Sequence, residues 1–432
     1  MPRVWGREVS NDGAIPSDPP PPARTTAERW LGGDAGRSDA LCRLRAECRR
    51  VLEQNWREGV AGGTRFAYTC PSPDRYPWQW YWDSCFTAVA WRRFDPSRSR
   101  AELETLLRAA RPDGFLGHTL FWEPLEGART LFYNRLRPGD LMTASIQPPL
   151  LPWAWRIAVG DPRREPALVR HHEWLEANRD LDGSGLLWIV QPDESGLDAS
   201  PKFDGVWGRR AHGLPGFPLL VRRNRRLGFD ARRVLAAGGP VVCEVLTNVL
   251  YGLSQLALGR PSLTPTLIER LYDERRGLFR DLVLPPVERQ PPVTWAALAP
   301  LALPDLPDAI GRRLIDEHLL DPERFWLAFP PPSVSQDEAA FSVNDTFLGL
   351  RRYWRGPTWV NAGWLLWLGL TRLGYVQANE LATRLAAAVL DAGLREYYDP
   401  RTGAGMGAHD FAWSALVLEL AQPDERARRS YL

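Results

Sequence analysis

Two short acidic segments hold the side chains best suited to chemistry in this sequence. They are residues 194–201, with the sequence ESGLDASP, and residues 396–400, with the sequence EYYDP. Each places a carboxylate in a turn bounded by Gly or Pro, and segments rich in Trp and Tyr lie near both. Hydrolysis of a glycosidic bond uses one carboxyl group to protonate the leaving oxygen and a second to activate a water, while aromatic rings pack on the sugar. The pattern therefore favours a glycosidase.

Three acids compete for the role of proton donor in the first segment. They are Asp193, Glu194 and Asp198. A general acid needs a raised pKa, which apolar surroundings or a neighbouring carboxylate provide. Asp198 has the least polar surroundings of the three, because small or apolar residues flank it on both sides. Glu194 could instead orient the turn by accepting backbone N–H bonds, and the residues alone leave the choice open.

Two further segments suit a sugar pocket. Residues 76–84 (YPWQWYWDS) contain five aromatic side chains ahead of a predicted helix start. We interpret Asp83 as the N-cap of that helix, and a carboxylate at a helix mouth can also face a cavity and hold sugar hydroxyls or a water. Gln147 precedes two prolines at another predicted helix start, which suits an amide that faces a pocket.

The composition is that of a soluble globular protein. Among 432 residues, 44% are hydrophobic and 25% charged, but 20 are Trp. A large ring with one polar group suits flat, partly apolar ligands such as sugars, and we expect about half of the Trp residues in the core instead. The net charge is only +2, without a basic stripe, which argues against nucleic-acid binding.

No metal or cofactor site is expected. The five cysteines are irregularly spaced without a C-x-x-C pair, the adjacent His171 and His172 do not form an H-E-x-x-H pattern, and the glycines of residues 403–407 have the wrong spacing for a dinucleotide loop. Unpaired cysteines fit a reducing cytoplasm. The N-terminus lacks the apolar part of a signal peptide, and no apolar run is long enough to span a membrane. We expect a cytoplasmic protein.

Helical periodicity dominates after a proline-rich start. Residues 1–26 predict a disordered arm, and residues 27–432 a single domain. Ser38 and Asp83 are predicted N-caps, Gly393 is a predicted helix end, and strand-like alternation is limited to pieces such as residues 186–190. Long proline-rich loops are expected near residues 284–304 and 330–333. We predict an all-α helical toroid, with other helices near residues 100–110, 147–159, 164–178, 241–258, 265–275, 308–319, 358–373, 377–392 and 411–420.

These motifs resemble glycoside hydrolase family 63, in particular its compact bacterial mannosylglycerate and glucosylglycerate hydrolases. The matching segments occur in the same order over nearly all of the chain: residues 76–86, 147–149, 194–201, 353–359, 396–403 and 411–415. The trehalases of family 37 share the Ser-Gly-x-Asp element and are a related alternative. The resemblance implies an (α/α)6 barrel with long loops over one mouth, where the site lies.

The resemblance also implies the roles of individual residues. Asp198 matches the general acid of an inverting glycosidase and Glu396 matches its general base. Asp83 matches an aspartate that binds the sugar and helps to place the water. The other predicted sugar contacts lie in the matching segments: Tyr76, Trp80, Trp82, Gln147, Arg355, Trp359 and Trp413.

The chain departs from this family at three places. Asp193 stands where relatives usually have an aromatic residue, and Lys202-Phe203 replaces the commoner Arg-Trp. Residues 205–226 are strongly basic. A cationic lid there would suit an anionic aglycone such as glycerate, whereas a solvated surface loop is the other interpretation. The residues concerned are Gly205, Trp207, Arg209, Arg210, His212, Arg222, Arg223, Arg225 and Arg226.

We therefore predict an inverting α-glycosidase for a small glycoside, glucosylglycerate or mannosylglycerate. Inversion requires space for a water, so the two carboxyl groups should lie about 6.5–9.5 Å apart. A trehalase-like enzyme or an α-glucosidase for glucose oligosaccharides is the nearest alternative. A sugar-binding relative without catalysis and a sugar epimerase are the others, although an epimerase would need His pairs and none of the six His lies in an aromatic motif. The oligomeric state stays open.

Overall fold

α-Helices are the main regular elements of this chain. A computed structural model describes residues 34–123, 134–137, 139–208, 215–287, 291–347 and 350–423. The arm predicted for residues 1–26 lies outside these ranges. The helices are α1 Asp34–Asn55, α2 Tyr81–Trp91, α3 Pro96–Ala109, α4 Leu151–Ala158, α5 Pro166–Arg179, α6 Gly216–Arg226, α7 Ala231–Ala236, α8 Val245–Ala257, α9 Thr264–Leu271, α10 Asp308–Leu314, α11 Val360–Arg372, α12 Gln377–Ala392 and α13 Val417–Ala421.

The predicted helices are present, but two predicted caps are wrong. Helix α1 begins at Asp34, so Ser38 lies inside it, and α2 begins at Tyr81, so Asp83 lies in its first turn. The predicted end of α12 is confirmed: Gly393 has φ 75°, and its N–H donates to the carbonyl of Val389. Only glycine adopts this backbone conformation readily, which explains the sharp stop.

Six buried helical segments contact one another in a closed ring within the described part of the chain. Each contacts the next in sequence and the last contacts the first; they are α2, α4, α8, the 3-10 helix Trp295–Ala302, α11 and the 3-10 helix Ala412–Leu416 that leads into α13. All residues of α2 are buried, and most of α8 and α11 are too. A helix that is apolar on every face must lie inside, and the ring provides that interior.

Two of the remaining helices pack against members of the ring. Helix α3 packs against α2 and α4, and α12 packs against α11, α13 and α1. The loop predicted near residues 284–304 is wrong in part, because Trp295–Ala302 forms a buried 3-10 helix. Pro300 lacks the N–H that a regular α-helix needs. The sequence therefore predicted a loop here, as for the neighbouring proline-rich connections.

Short antiparallel strand pairs connect the helices. Each sheet in the described ranges has two strands: β1 Trp56–Ala61 with β2 Thr64–Thr69, β3 Gln79–Trp80 with β4 Thr119–Leu120, β5 Val241–Cys243 with β8 Leu282–Leu284, β6 Tyr272–Asp273 with β7 Leu278–Phe279, β9 Thr346–Phe347 with β10 Leu350–Arg351, and β11 Arg395–Tyr398 with β12 Gly405–His409. The strand predicted over residues 186–190 is reduced to single bridges at Leu187 and Ile189.

The basic segment contains a helix that the sequence did not reveal. Helix α6 spans Gly216–Arg226, whereas Arg209, Arg210 and His212 lie outside the described residues. Across the described ranges, no helix is both long and apolar enough to cross a membrane. In the same ranges, no group of three or more His, Cys, Asp or Glu side chains is arranged to hold a metal ion.

Candidate active site

One cavity collects most of the predicted site residues. Its volume is about 340 Å³, and both predicted catalytic carboxylates line it together with every predicted sugar contact except Arg355. Residues from widely separated parts of the chain thus meet at one place. The lining residues are Pro71, Tyr76, Trp80, Trp82, Asp83, His118, Thr119, Asn134, Thr143, Gln147, Asp193, Gly196, Asp198, Phe217, Tyr353, Trp354, Trp359, Glu396, Phe411 and Trp413.

Glu194 fixes the turn that carries Asp198. Its buried carboxylate receives two hydrogen bonds from Arg179, at 2.6 and 2.7 Å, and one each from the backbone N–H groups of Ile146 and Val190, at 3.0 and 2.8 Å. The orienting role suggested for Glu194 is thus seen directly. Arg179 is the last residue of α5, so this ion pair ties the turn to a helix.

Removing the Glu194 charge should destabilise the protein strongly. Glu194→Gln leaves the Arg179 guanidinium buried without its counter-charge, and breaking a buried pair in this way costs about 3 kcal/mol. Glu176→Gln is the matched control, because Glu176 lies on α5 like Arg179, the partner of Glu194. The Glu176 side chain is 55% exposed and pairs with Arg260 at the surface. We expect that control to lower the free energy of unfolding by less than about 0.5 kcal/mol. Urea denaturation followed by Trp fluorescence measures the free energy of unfolding of both variants. Similar losses in the two would contradict the conclusion that Glu194 fixes the turn.

Asp198 has the environment of a proton donor. Its Oδ2 accepts a 2.6 Å hydrogen bond from the Tyr353 hydroxyl. The carboxyl group is partly open to the cavity, but the surrounding protein withdraws it from bulk water. This desolvation raises the pKa of Asp198 to about 6; the Tyr353 bond opposes the rise and the charge of Asp193 adds to it. A carboxyl group with such a pKa is protonated in a useful fraction of molecules near neutral pH.

Close packing against glycine fixes the acid turn on the cavity wall. Gly196 has φ 71°, and a Cβ there would come within 2.5 Å of the Trp82 ring. Only glycine satisfies both the conformation and the approach. The turn therefore lies directly on an aromatic wall of the cavity, with Asp198 two residues later.

Glu396 lies on β11, where fixed donors hold its carboxylate. Oε1 accepts from the Tyr76 hydroxyl at 3.1 Å, Oε2 accepts from the Ala408 N–H at 2.8 Å, and the Arg75 guanidinium lies 3.8 Å from Oε2. Burial raises the pKa of Glu396, Arg75 and the two hydrogen bonds oppose the rise, and the charge of Asp198 adds to it. The donors favour the ionised form, which a general base requires.

Indole and phenol rings form much of the cavity wall. The Trp354 and Trp359 rings stack with centroids 3.8 Å apart, and Trp413 lies 5.6 Å from Trp359 and 5.2 Å from Trp82. The indole N–H groups of Trp80, Trp359 and Trp413 are buried without a hydrogen-bond partner in the described structure. Such rings offer apolar faces to a sugar and donors to its oxygens.

Gln147, and not Asp83, accepts a hydrogen bond from a backbone N–H in the first turn of α2. The Gln147 Oε1 accepts a 2.9 Å hydrogen bond from the N–H of Trp82 in the first turn, while Asp83 faces the cavity. Asp83 is buried, and desolvation raises its pKa well above the usual value. Local sequence patterns favoured Asp83 as the cap because Gln147 lies more than sixty residues away in the chain.

Two buried cations, the predicted sugar contact Arg355 and Lys202, lie outside the cavity lining. Arg355 is buried and pairs with Asp204 at 2.5 Å and with Asp345 at 3.1 Å, so its role in sugar binding remains a prediction. Lys202 is buried and pairs with Glu244 and, at 3.1 Å, with Asp281. These buried ion pairs give Lys202 a structural role.

The cavity also contains residues that sequence reasoning did not select for it. Tyr353 lies in a segment that resembles family 63, but no role was predicted for it. No sequence pattern indicated His118 or Asn134 as site residues. The His118 ring centroid lies 5.0 Å from that of Trp80, so one histidine does belong to the aromatic site. The pairing of β3 with β4 brings His118 to the cavity, because it places Gln79–Trp80 beside Thr119–Leu120.

Comparisons with known proteins agree on one family. The model of the mannosylglycerate hydrolase MGH1-like glycoside hydrolase domain matches residues 76–260 and 258–414. A mannosylglycerate hydrolase of Thermus thermophilus is 30% identical over 422 residues, which cover 83% of this chain and 98% of the relative. A glucosylglycerate hydrolase of Mycolicibacterium hassiacum is 26% identical and covers 81% and 93% of the two chains. The crystal structure of a family 63 mannosylglycerate hydrolase from Thermus thermophilus, in complex with Tris, superposes with a TM-score of 0.73, at 27% identity, over 88% of this chain and all of that one.

Proposed function

Because the chain belongs to the mannosylglycerate hydrolase MGH1-like glycoside hydrolases, we propose that it hydrolyses a small α-glycoside of glycerate with inversion at the anomeric carbon. One observation carries the proposal. Asp198, with a pKa raised to about 6, and Glu396, held among donors, line the same Trp-walled cavity. Mannosylglycerate and glucosylglycerate are the proposed substrates, since relatives of both names match most of the chain.

In the proposed reaction Asp198 donates its proton to the glycosidic oxygen as the bond to the anomeric carbon breaks. Glu396 removes a proton from the water that attacks that carbon from the opposite face. Each carboxyl group is held by its own tyrosine, Asp198 by Tyr353 and Glu396 by Tyr76. Separate supports are compatible with the gap of about 6.5–9.5 Å that a water between them needs. Asp83 is a further buried carboxyl group of the cavity and would bind the sugar or orient the water.

A basic helix next to the cavity supports an anionic aglycone. Phe217, in the first turn of α6, lines the cavity, and the same helix continues through residues 222–226, which include four arginines. Arg guanidinium groups bind carboxylates through two parallel hydrogen bonds. We propose that this helix, as part of the predicted lid, faces the glycerate side of the substrate.

We further propose that the closed helical ring is the inner layer of an (α/α)6 barrel. Along the chain the six ring segments alternate with α1, α3, α5, α9, α10 and α12, which is the order that six outer–inner pairs would give. Residues 27–432 would then form a single domain. All five cysteines are free, which supports a cytoplasmic location, and the two-carboxyl mechanism requires no metal or cofactor.

Product analysis tests the proposed function. The purified protein is incubated with α-mannosylglycerate, α-glucosylglycerate, trehalose and α-linked glucose disaccharides, and proton NMR follows the first sugar released. We expect a glycerate glycoside to react fastest and the β-anomer to appear first. Release of the α-anomer first would contradict inversion, and preferred cleavage of trehalose would favour the trehalase-like alternative. Conversion to an epimer, or binding without release, would favour the non-hydrolytic alternatives.

A further inference from the structure

One side of the cavity carries three buried polar side chains, which we call the polar wall: His118, Asn134 and Asp193. They are 6%, 4% and 7% exposed, and all three line the cavity. Two acceptor atoms have no hydrogen-bond partner in the described part of the structure, Asn134 Oδ1 and Asp193 Oδ1, whereas His118 Nδ1 lies 3.5 Å from Asp193 Oδ2. Buried polar atoms are paired in most proteins, so two acceptors left unpaired on residues that line a cavity are suited to a ligand that donates hydrogen bonds.

Neighbouring hydrogen bonds fix which atoms of the polar wall are free. Asp193 Oδ2 accepts from Asn134 Nδ2 and, at 3.0 Å, from Gln191 Nε2, and His118 Nδ1 lies 3.5 Å away. The Gln191 amide is oriented because its oxygen accepts from Asn224 at 2.9 Å. Asp193 Oδ1 is therefore left as an unused acceptor.

The amide of Asn134 is oriented in a similar way. Its nitrogen donates to Ser145 Oγ at 3.2 Å as well as to Asp193, which leaves its oxygen as the second unused acceptor. Two acceptors, one of them a carboxylate oxygen, need donors. A carboxylate such as that of glycerate supplies none and would be repelled, whereas sugar hydroxyl groups can donate.

We propose that Asp193 is a specificity-determining residue that accepts a hydrogen bond from a ring hydroxyl of the sugar, while Asn134 accepts from an adjacent hydroxyl. This inference rests on the proposed function, since it assigns the sugar part of the substrate to the polar wall. An aromatic residue, as in the family that the sequence resembles, would pack on a sugar face. A carboxylate instead detects whether a hydroxyl is present and how it is directed.

The polar wall lies beside the proton donor. Asp193 and Asp198 belong to the same fixed turn, and the charge of Asp193 contributes to the raised pKa of Asp198. A hydroxyl bound by Asp193 would consequently lie on the part of the sugar nearest to the acid. The strength of that bond should therefore affect sugar affinity and turnover together.

A double-mutant cycle between Asp193 and the sugar tests the proposal. Trp fluorescence titrations compare D-glucose, D-mannose and their 2-, 3-, 4- and 6-deoxy derivatives on the wild type, Asp193→Asn and Asp193→Ala. Hydrogen bonds to charged groups are worth about tenfold or more in affinity. We expect one deoxy sugar to bind the wild type about tenfold more weakly than the parent sugar does. The same comparison should give about a threefold difference for Asp193→Asn and no difference for Asp193→Ala. Circular dichroism checks that the variants are folded.

The outcomes separate this inference from the proposed function. Asp308→Asn is the control, because it removes a carboxylate whose side chain is 68% exposed at the surface, and it should keep the wild-type response to every deoxy sugar. If each deoxy sugar loses affinity equally in the wild type and in Asp193→Ala, Asp193 binds no hydroxyl and the inference is overturned while the hydrolase proposal stands. If the wild type neither binds any of the sugars nor releases sugar from any glycoside, the proposed function fails and the inference with it.

Discussion

Asp198→Asn should lower kcat/KM on glycerate glycosides by about 10³-fold, within the range that general acid catalysis contributes. The amide has the size of the carboxyl group and can still accept the hydrogen bond from Tyr353, so the cavity keeps its shape. It cannot give a proton to the glycosidic oxygen, and an alkoxide is a poor leaving group in water. Initial rates at saturating and limiting substrate separate kcat from KM, and we expect the loss in kcat.

The leaving group distinguishes loss of the acid from general damage. Fluoride leaves an anomeric carbon without protonation, so a glycosyl fluoride of the same sugar should react with Asp198→Asn within about tenfold of the wild-type rate. A fluoride electrode measures this directly. An equal loss on the fluoride and on the glycerate glycoside would show that Asp198 is not the proton donor.

The pH dependence follows from the same carboxyl group. The pKa of Asp198 is raised to about 6 by desolvation, and the active form is protonated. Activity of the wild type should therefore fall as the pH rises above about 6, and the residual activity of Asp198→Asn should lack this descending limb.

Stability should change in the corresponding direction. Because the folded-state pKa lies above the unfolded value of 3.8, the contribution of Asp198 to stability is full below about pH 3.8 and is lost as the pH rises through about 6. Asp198→Asn removes the cost of a desolvated charge, so it should be more stable than the wild type at pH 8, by about 3 kcal/mol, and show no such gain at pH 4. Urea denaturation at the two pH values measures the difference, and a gain that does not depend on pH would contradict this origin.

The helices could be predicted from sequence because their cause is local. The periodic apolar residues of α1, α11 and α12 and the glycine at position 393 act over a few residues. The 3-10 helix Trp295–Ala302 and the basic helix α6 were missed for a different reason. Pro300 made residues 295–302 resemble a proline-rich connection. The charge of α6 is typical of a solvated loop, although tertiary packing fixes its buried face.

The same distinction between local and distant causes applies to the residues of the site. Asp198 and Glu396 could be found because each lies in a short segment with a recognisable composition, although Glu396 lies on strand β11 and not in the predicted turn. The function of Glu194 was open to reasoning for the same reason. The cap that Gln147 provides and the polar wall around Asp193 could not be found in this way. Their hydrogen-bond partners are distant in sequence, and no local pattern records such a pairing.

Glu396→Gln should lower kcat by about 10³-fold or more on the glycerate glycoside, because the attacking water then has no base. Its amide oxygen can still accept the Ala408 N–H or the Tyr76 hydroxyl, so the β11–β12 hairpin should stay folded. In contrast to Asp198→Asn, this variant should lose activity on the glycosyl fluoride to the same extent. Water must be activated whichever group leaves.

The comparison of the two variants on the two substrates fixes the roles. Asp399→Asn serves as the control for the Glu396 segment. In the described part of the chain the Asp399 side chain accepts turn N–H groups from Arg401 and Thr402, and an amide oxygen can replace it there. If Glu396→Gln spared the fluoride and Asp198→Asn did not, acid and base would be exchanged. If Glu396→Gln stayed fully active on both substrates, the base would have to be another carboxylate of the cavity, and Asp83, buried and facing the same space, would be the next to replace.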